Sequence, residues 1–151
     1  MNRYFPHCCY ILIIILMSQA GYSQYTDKDF NKVSQILMQQ QQDWNNGDID
    51  AFMTSYWNSE KLQFGGSSGI TRGWDETIMR YKKVYPDKDA MGHLSFEIKD
   101  ISRHSRKVIS LTGSWTLERK SDQPGGHFLL IWKKIKGKWL IVADHTSALC
   151  P

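Results

Sequence analysis

Three consecutive runs near the C-terminus, residues 107–119, 127–136 and 138–147, are rich in β-branched and aromatic side chains and commit this chain to sheet. Turn chemistry separates them, first at Ser121-Asp122-Gln123-Pro124-Gly125-Gly126 and then at Lys136-Gly137, so they read as an antiparallel meander. In the first run alternation sets Ile109, Leu111, Gly113, Trp115 and Leu117 on one face and Val108, Ser110, Thr112, Ser114 and Thr116 on the other. The first face is core and the second is semi-polar. Residues 94–101 precede them as a further long strand, with Leu94, Phe96 and Ile98 on one face.

The other half of the chain carries helical spacing. Thr26 is placed to cap a helix in which Phe30, Val33, Leu37 and Trp44 recur on one side, and Asn45-Asn46-Gly47 ends it. Asp48 caps a second helix whose stripe is Ile49, Phe52, Met53, Tyr56 and Trp57. Leu62-Gln63-Phe64 and Ile70-Thr71-Arg72-Gly73 read as two short strands around a glycine turn; no Lys-Ser/Thr pair follows, as a phosphate-binding loop requires. Trp74, Ile78, Tyr81 and Tyr85 then return to helical spacing until Pro86 stops it.

With 151 residues, 41% hydrophobic and 13% aromatic, the chain suits one domain with its own core. The net charge of +4 is spread over both signs, and the densest basic run, Arg103 to Lys107, falls at an expected hairpin turn. A basic stripe interleaved with stacking aromatics is missing, so nucleic acid is not an expected partner.

The N-terminus has the form of a secretory signal: Arg3, an apolar run from Cys8 to Met17, then the small residues Ser18, Ala20, Gly21 and Ser23. That run is roughly ten residues, too short to cross a hydrocarbon layer of about 30 Å as a helix. Residues 1–23 are therefore expected to be removed, leaving residues 24–151 as an exported domain, periplasmic or secreted, without a stable membrane anchor. Cleavage would take Cys8 and Cys9 with it, and Cys150 alone forms no intrachain disulfide, so stability must come from the apolar core.

The segments Trp44-Asn45-Asn46-Gly47-Asp48-Ile49-Asp50-Ala51-Phe52, Gly73-Trp74-Asp75, Gly113-Ser114-Trp115 and Gly137-Lys138-Trp139-Leu140-Ile141-Val142, followed by Asp144-His145-Thr146-Ser147, occur in an informative order. Together they resemble the nuclear transport factor 2-like superfamily, and within it the SnoaL-like branch. The resemblance implies an α+β cone: a strongly curved antiparallel sheet with three helices on its concave face and a pocket between them. It does not by itself select a function, because that superfamily hosts isomerases, dehydratases, cyclases, hydrolases and non-catalytic binding or assembly domains.

Tyr56, Trp57, Trp74, Tyr81, Trp115 and Phe128 are the aromatics expected to wall such a pocket, with Arg72 and His145 as polar members. Asp144 and His145 are the acid/base candidates. Being adjacent in a strand, they point to opposite faces, and only one of them can reach the pocket unless a bulge intervenes. The ketosteroid isomerase constellation of a shuttling carboxylate with a Tyr and a protonated acid finds no match: residues 61–72 contain no Asp or Glu, and the first helix has no Tyr after Tyr25. No metal site is expected either, because no two histidines lie closer than eleven residues and neither His-x-x-x-His nor Cys-x-x-Cys occurs. No cofactor motif is present.

Two functions follow. The balance lies with a domain that binds a small apolar or aromatic molecule, or serves assembly, without catalysis. The alternative is a cofactor-independent enzyme of isomerase, dehydratase, cyclase or hydrolase type with His145 or Asp144 as its acid/base. A homodimer is expected through the outer face of the sheet, where Leu129, Ile131 and either Trp139 or Leu140 need cover.

Overall fold

A computed structural model describes residues 27–148; the signal segment of residues 1–23, the Thr26 cap and Cys150 lie outside the described residues. In chain order the elements are α1 (Lys28–Asn45), α2 (Ile49–Met53), β1 (Gln63–Gly66), β2 (Gly69–Arg72), α3 (Trp74–Val84), α4 (Lys88–Met91), β3 (His93–Ser105), β4 (Val108–Glu118), β5 (Gly125–Ile135) and β6 (Lys138–Thr146). The plan is the expected α+β one, with a short fourth helix added before the long strands.

Asp27 caps α1, accepting from the Asp29 N–H at 2.9 Å. Val33, Leu37, Gln40 and Trp44 form the buried stripe of this helix. Gly47, at φ +82°, supplies the left-handed residue that ends it, and Asp48 caps α2 through the Ala51 N–H at 2.8 Å. The second helix is shorter than its apolar stripe predicts. It stops at Met53, the Thr54 hydroxyl donates back to the Ala51 carbonyl at 2.7 Å, and the chain becomes extended. Residues 55–57 then lie along β6: the Trp57 N–H donates to Ile141 O and the Ile141 N–H donates to Ser55 O, both at 2.9 Å.

The sheet order is β2-β1-β6-β5-β4-β3. Strands β3 to β6 form the expected antiparallel meander. The β1–β6 pair, however, is parallel, which corrects the expectation of an antiparallel sheet throughout. The extended segment at residues 55–57 has already entered beside β6 in the same direction, and β1 continues along that edge. Register shifts interrupt β3 at Ile98/Asp100 and Arg103/Ser105, and β5 against β6 at Ile131/Trp132. Bulges bend and twist the strands that carry them, and these curve the sheet around the helices.

The free edge of β3 is closed by α1. Asn45 donates to the Leu94 carbonyl at 3.0 Å and accepts from the Leu94 N–H at 2.7 Å, while Gln41 accepts from the Phe96 N–H at 2.6 Å. Two helix amides thereby take up strand groups that would otherwise have no partner. At the other end of α1, Asp29 accepts from Trp139 Nε1 at 2.9 Å, Lys134 Nζ at 3.0 Å and Arg103 Nη2 at 3.1 Å. These donors hold its carboxyl down to about 2.

Val33, Leu37, Met53, Leu62, Ile109, Leu111, Trp132 and Ile141 make the fully buried centre. Trp139 faces this core, so Leu140 is the residue of β6 that joins Ile131 and the 40% exposed Leu129 on the outer face. Gly113 does not leave open room beside Trp115 as its missing side chain suggests. The Phe128 ring fills that space, so closely that a Cβ on Gly113 would collide with it.

Candidate functional site

Between the curved sheet and α1, α2 and α3 a pocket of about 120 Å³ remains. Leu37, Trp44, Phe52, Leu94, Leu117 and Leu130, all nearly inaccessible, form its floor and inner walls. Half-buried Phe96 and Trp115, half-buried Arg80 and exposed Val84 form its rim. The cone is therefore not filled by its own side chains.

Asp144 brings a carboxyl to this apolar surface, at 6% exposure. A bulge brings it there. Ile131 pairs with Ala143 and Trp132 with Ile141, which leaves Val142 as the extra residue on β6. Trp139 and Ile141 face inward; uninterrupted alternation would send Ala143 and His145 inward as well. The extra residue reverses the phase, so Asp144 and Thr146 turn to the pocket while His145 turns out. Outside, His145 occupies the space above Gly65, where a Cβ would stand 2.7 Å from its Nδ1.

Both oxygens of Asp144 are engaged. The Tyr56 hydroxyl donates to Oδ2 at 2.7 Å and the Thr146 hydroxyl donates to Oδ1 at 2.8 Å. Burial pushes the carboxyl up to about 6, against the opposing pull of these two donors and of the neighbouring His145. Two further lone-pair positions remain, because an ionised carboxylate offers about four acceptor sites. The phenols of Tyr56 and Tyr81 are raised well above their ordinary range, by burial first and then by the Asp144 charge. They stay neutral and act as hydroxyls. Chemically, the arrangement is a desolvated carboxylate near neutral titration, oriented by two hydroxyls and open to a ligand on an apolar floor.

Of the residues expected at the site, Tyr56, Tyr81, Trp115, Phe128 and Asp144 line the pocket. Tyr56 does so from the extended bridge to β6, not from a helical stripe. The remaining expectations are corrected. Trp57 is half-buried away from the pocket; Trp74 lies outside it, with its indole N–H donating to the Met53 carbonyl at 3.0 Å; Arg72 and His145 are exposed. The arginine at the pocket is Arg80, on the side of α3 that carries Thr77, Tyr81 and Val84. Helical spacing from Thr77 and Val84, three residues before it and four after, could have found it. Gln40 and Thr146 were also missed. Gln40 stands in the polar run Gln39-Gln40-Gln41-Gln42, yet it is 1% exposed and donates to the Phe52 carbonyl at 3.1 Å. Among the described residues no three His, Cys, Asp or Glu side chains converge as a metal centre would need, and no helix is long and apolar enough to cross a membrane.

The crystal structure of a nuclear transport factor 2-like protein of unknown function from Shewanella oneidensis matches this fold with a TM-score of 0.76 and 41% identity, over 79% of this chain and 98% of that one. The chain belongs to the nuclear transport factor 2-like superfamily. Two more distant members of the fold are similar in shape alone. A ketosteroid isomerase-like protein from Erwinia carotovora atroseptica has a TM-score of 0.68 at 18% identity, over 83% of this chain and 99% of that one. A nuclear transport factor 2-like superfamily protein from Salmonella enterica has 0.64 at 16%, over 80% and 91%. No protein-family model and no curated protein matches the chain. In this nuclear transport factor 2-like cone, the Asp144–Tyr56 pair at the floor and Arg80 at the rim are the polar groups from which a function must be argued.

Proposed function

We propose that the protein takes a small, largely apolar molecule into the cone and moves a proton on it through Asp144. The observation that carries this reading is a carboxyl at the bottom of apolar walls, held by Tyr56 and Thr146 and raised to about 6. A base serves best when its pKa lies near the working pH. At neutral pH Asp144 is mainly ionised, and its free lone pairs can accept a proton from a C–H made acidic by an adjacent carbonyl. Returning that proton at another position of the same molecule completes an isomerisation in which atoms and charge balance. Tyr56 and Thr146 hold the carboxylate in place throughout. The ketosteroid isomerase-like name of the Erwinia protein is in keeping with such chemistry at the level of fold.

The unfilled cavity favours a ligand over a purely assembling domain. Binding without chemistry is the second reading, supported by the same apolar walls.

Exchange of carbon-bound hydrogen decides between them. A panel of small cyclic and aryl ketones in D2O, followed by NMR, should include compounds whose α-hydrogens exchange faster with the protein. Asp144→Asn should reduce that acceleration by about a hundredfold or more while leaving binding in place. Ketones that bind but exchange no faster than with Asp144→Asn would mean a binding domain only.

A further inference from the structure

Arg80 lines the pocket from α3. Its guanidinium lies over the Phe64 ring, 5.4 Å from the centroid, and Nη1 donates to the Ser68 hydroxyl. A Cβ on Gly66 would stand 3.3 Å from Nη2, so the small strand residue leaves the fork its place. No ion pair among the described residues involves Arg80, although seven are formed elsewhere. A guanidinium carries five N–H donors, and one neutral hydroxyl engages few of them. The Asp144 carboxyl is held by the Tyr56 and Thr146 hydroxyls and not by Arg80. Cation and carboxyl are therefore separate features of one pocket.

We propose that the pocket selects a small organic carboxylate, with an apolar ring or short branched chain between the walls and its carboxylate on the Arg80 guanidinium at the rim. The planar fork of arginine matches a carboxylate in two-point geometry. The cavity of about 120 Å³ approaches the size of an apolar cavity, about 150 Å³, that takes one benzene ring. A ring of that size lodged against Leu117 and Leu130 leaves its acidic substituent directed to the rim. Asp144 then faces the apolar part of the molecule and not its charge. This inference rests on the pocket being a ligand site and adds the charge class of the ligand.

The test compares phenylacetate, its neutral isostere phenylacetamide, and benzene, by ligand-observed NMR and titration of tryptophan fluorescence. Phenylacetate should bind at least about tenfold more tightly than phenylacetamide. Arg80→Gln should remove that advantage and leave phenylacetamide and benzene binding unchanged, and Arg80→Lys should keep part of it, because the charge survives and the fork does not. The unchanged binding of the neutral probes also reports that the variants are folded. If phenylacetate binds equally well with and without Arg80 while the neutral probes still bind, the inference fails and the pocket reading stands. If none of the three binds to the wild type, both fail.

Discussion

The Tyr56 hydroxyl and the Asp144 carboxylate, 88 residues apart in the chain, share a 2.7 Å hydrogen bond at the floor of the cone. Each is positioned by the same strand. Tyr56 bridges β6 at Ile141, and Asp144 lies three residues further along it, beyond the bulged Val142. The hydrogen bond therefore reports directly on the phase of β6, and removing either partner tests the site without disturbing the rest of the sheet.

Asp144 should make the protein less stable as pH rises. Its folded value of about 6 lies above its ordinary 3.8, so the folded state holds the proton more tightly. The sign follows: below about pH 4 the group is neutral in both states and costs nothing, the cost grows between pH 4 and 6, and above pH 6 it is fully present, at about 2–3 kcal/mol. Asp144→Asn should accordingly raise stability to urea at pH 8 and change it little at pH 4. A gain that is the same at both values would show that charge burial is not the cause.

Tyr56→Phe should act on the same titration in the opposite sense to a rescue. The phenol donates to the ionised form and pulls the carboxyl down, so its loss moves the Asp144 midpoint above 6. The carboxyl carbon resonance, followed by NMR across pH 4 to 8, measures this. A midpoint that stays in place or falls would mean that Tyr56 does not hold the carboxylate in solution.

Asp29 carries a stabilising ionisation. Held down to about 2, it contributes stability above its ordinary range that is lost as pH falls from about 4 through 2. Its side chain is 26% exposed, so solvent screening reduces the contribution. Asp29→Asn should cost about 1–2 kcal/mol at pH 7 in chemical denaturation, and much less at pH 2.

Trp115 and Phe128 should separate rim from core. Phe128 is 6% exposed and fills the space over Gly113, so Phe128→Ala should cost about 3–5 kcal/mol. Trp115 is half-buried at the rim, with its indole N–H donating to the Ser147 carbonyl at 3.0 Å. Its replacement by Ala should cost about 1–2 kcal/mol, less than a buried aromatic, and weaken ligand binding more than it weakens the fold. Equal losses of stability would place Trp115 in the core.

A second copy of the chain is expected to cover the outer sheet face. Leu129, opposite Thr112 and His145, and Ile131, opposite Ser110 and Ala143, make a row across three strands that carries no Lys, Arg, Asp or Glu. Light scattering at micromolar concentration should give twice the monomer mass, and Leu129→Glu should halve it. A monomeric wild type would count against this arrangement.

Local periodicity determined the elements. The alternation of Ile109 to Leu117, the helical recurrence of Val33, Leu37 and Trp44, and the stop at Pro86 are properties of neighbouring residues, and each is legible before any folding is considered. The ordered motifs around Trp44, Gly73, Gly113 and Gly137 likewise pointed to the cone. The site depended on pairing. Whether Asp144 or His145 faces inward is decided by one extra residue opposite Trp132, a mismatch between two strands that neither strand displays alone. Tyr56 reads as helical, because its spacing from Ile49 and Phe52 is right, and becomes extended because the open edge of β6 takes its backbone. Arg72 and Arg80 look alike in sequence, and the packing of α3 against the sheet selects the second. Period is a local quantity, whereas the phase of a strand and the choice of its neighbour are set only when the edges meet.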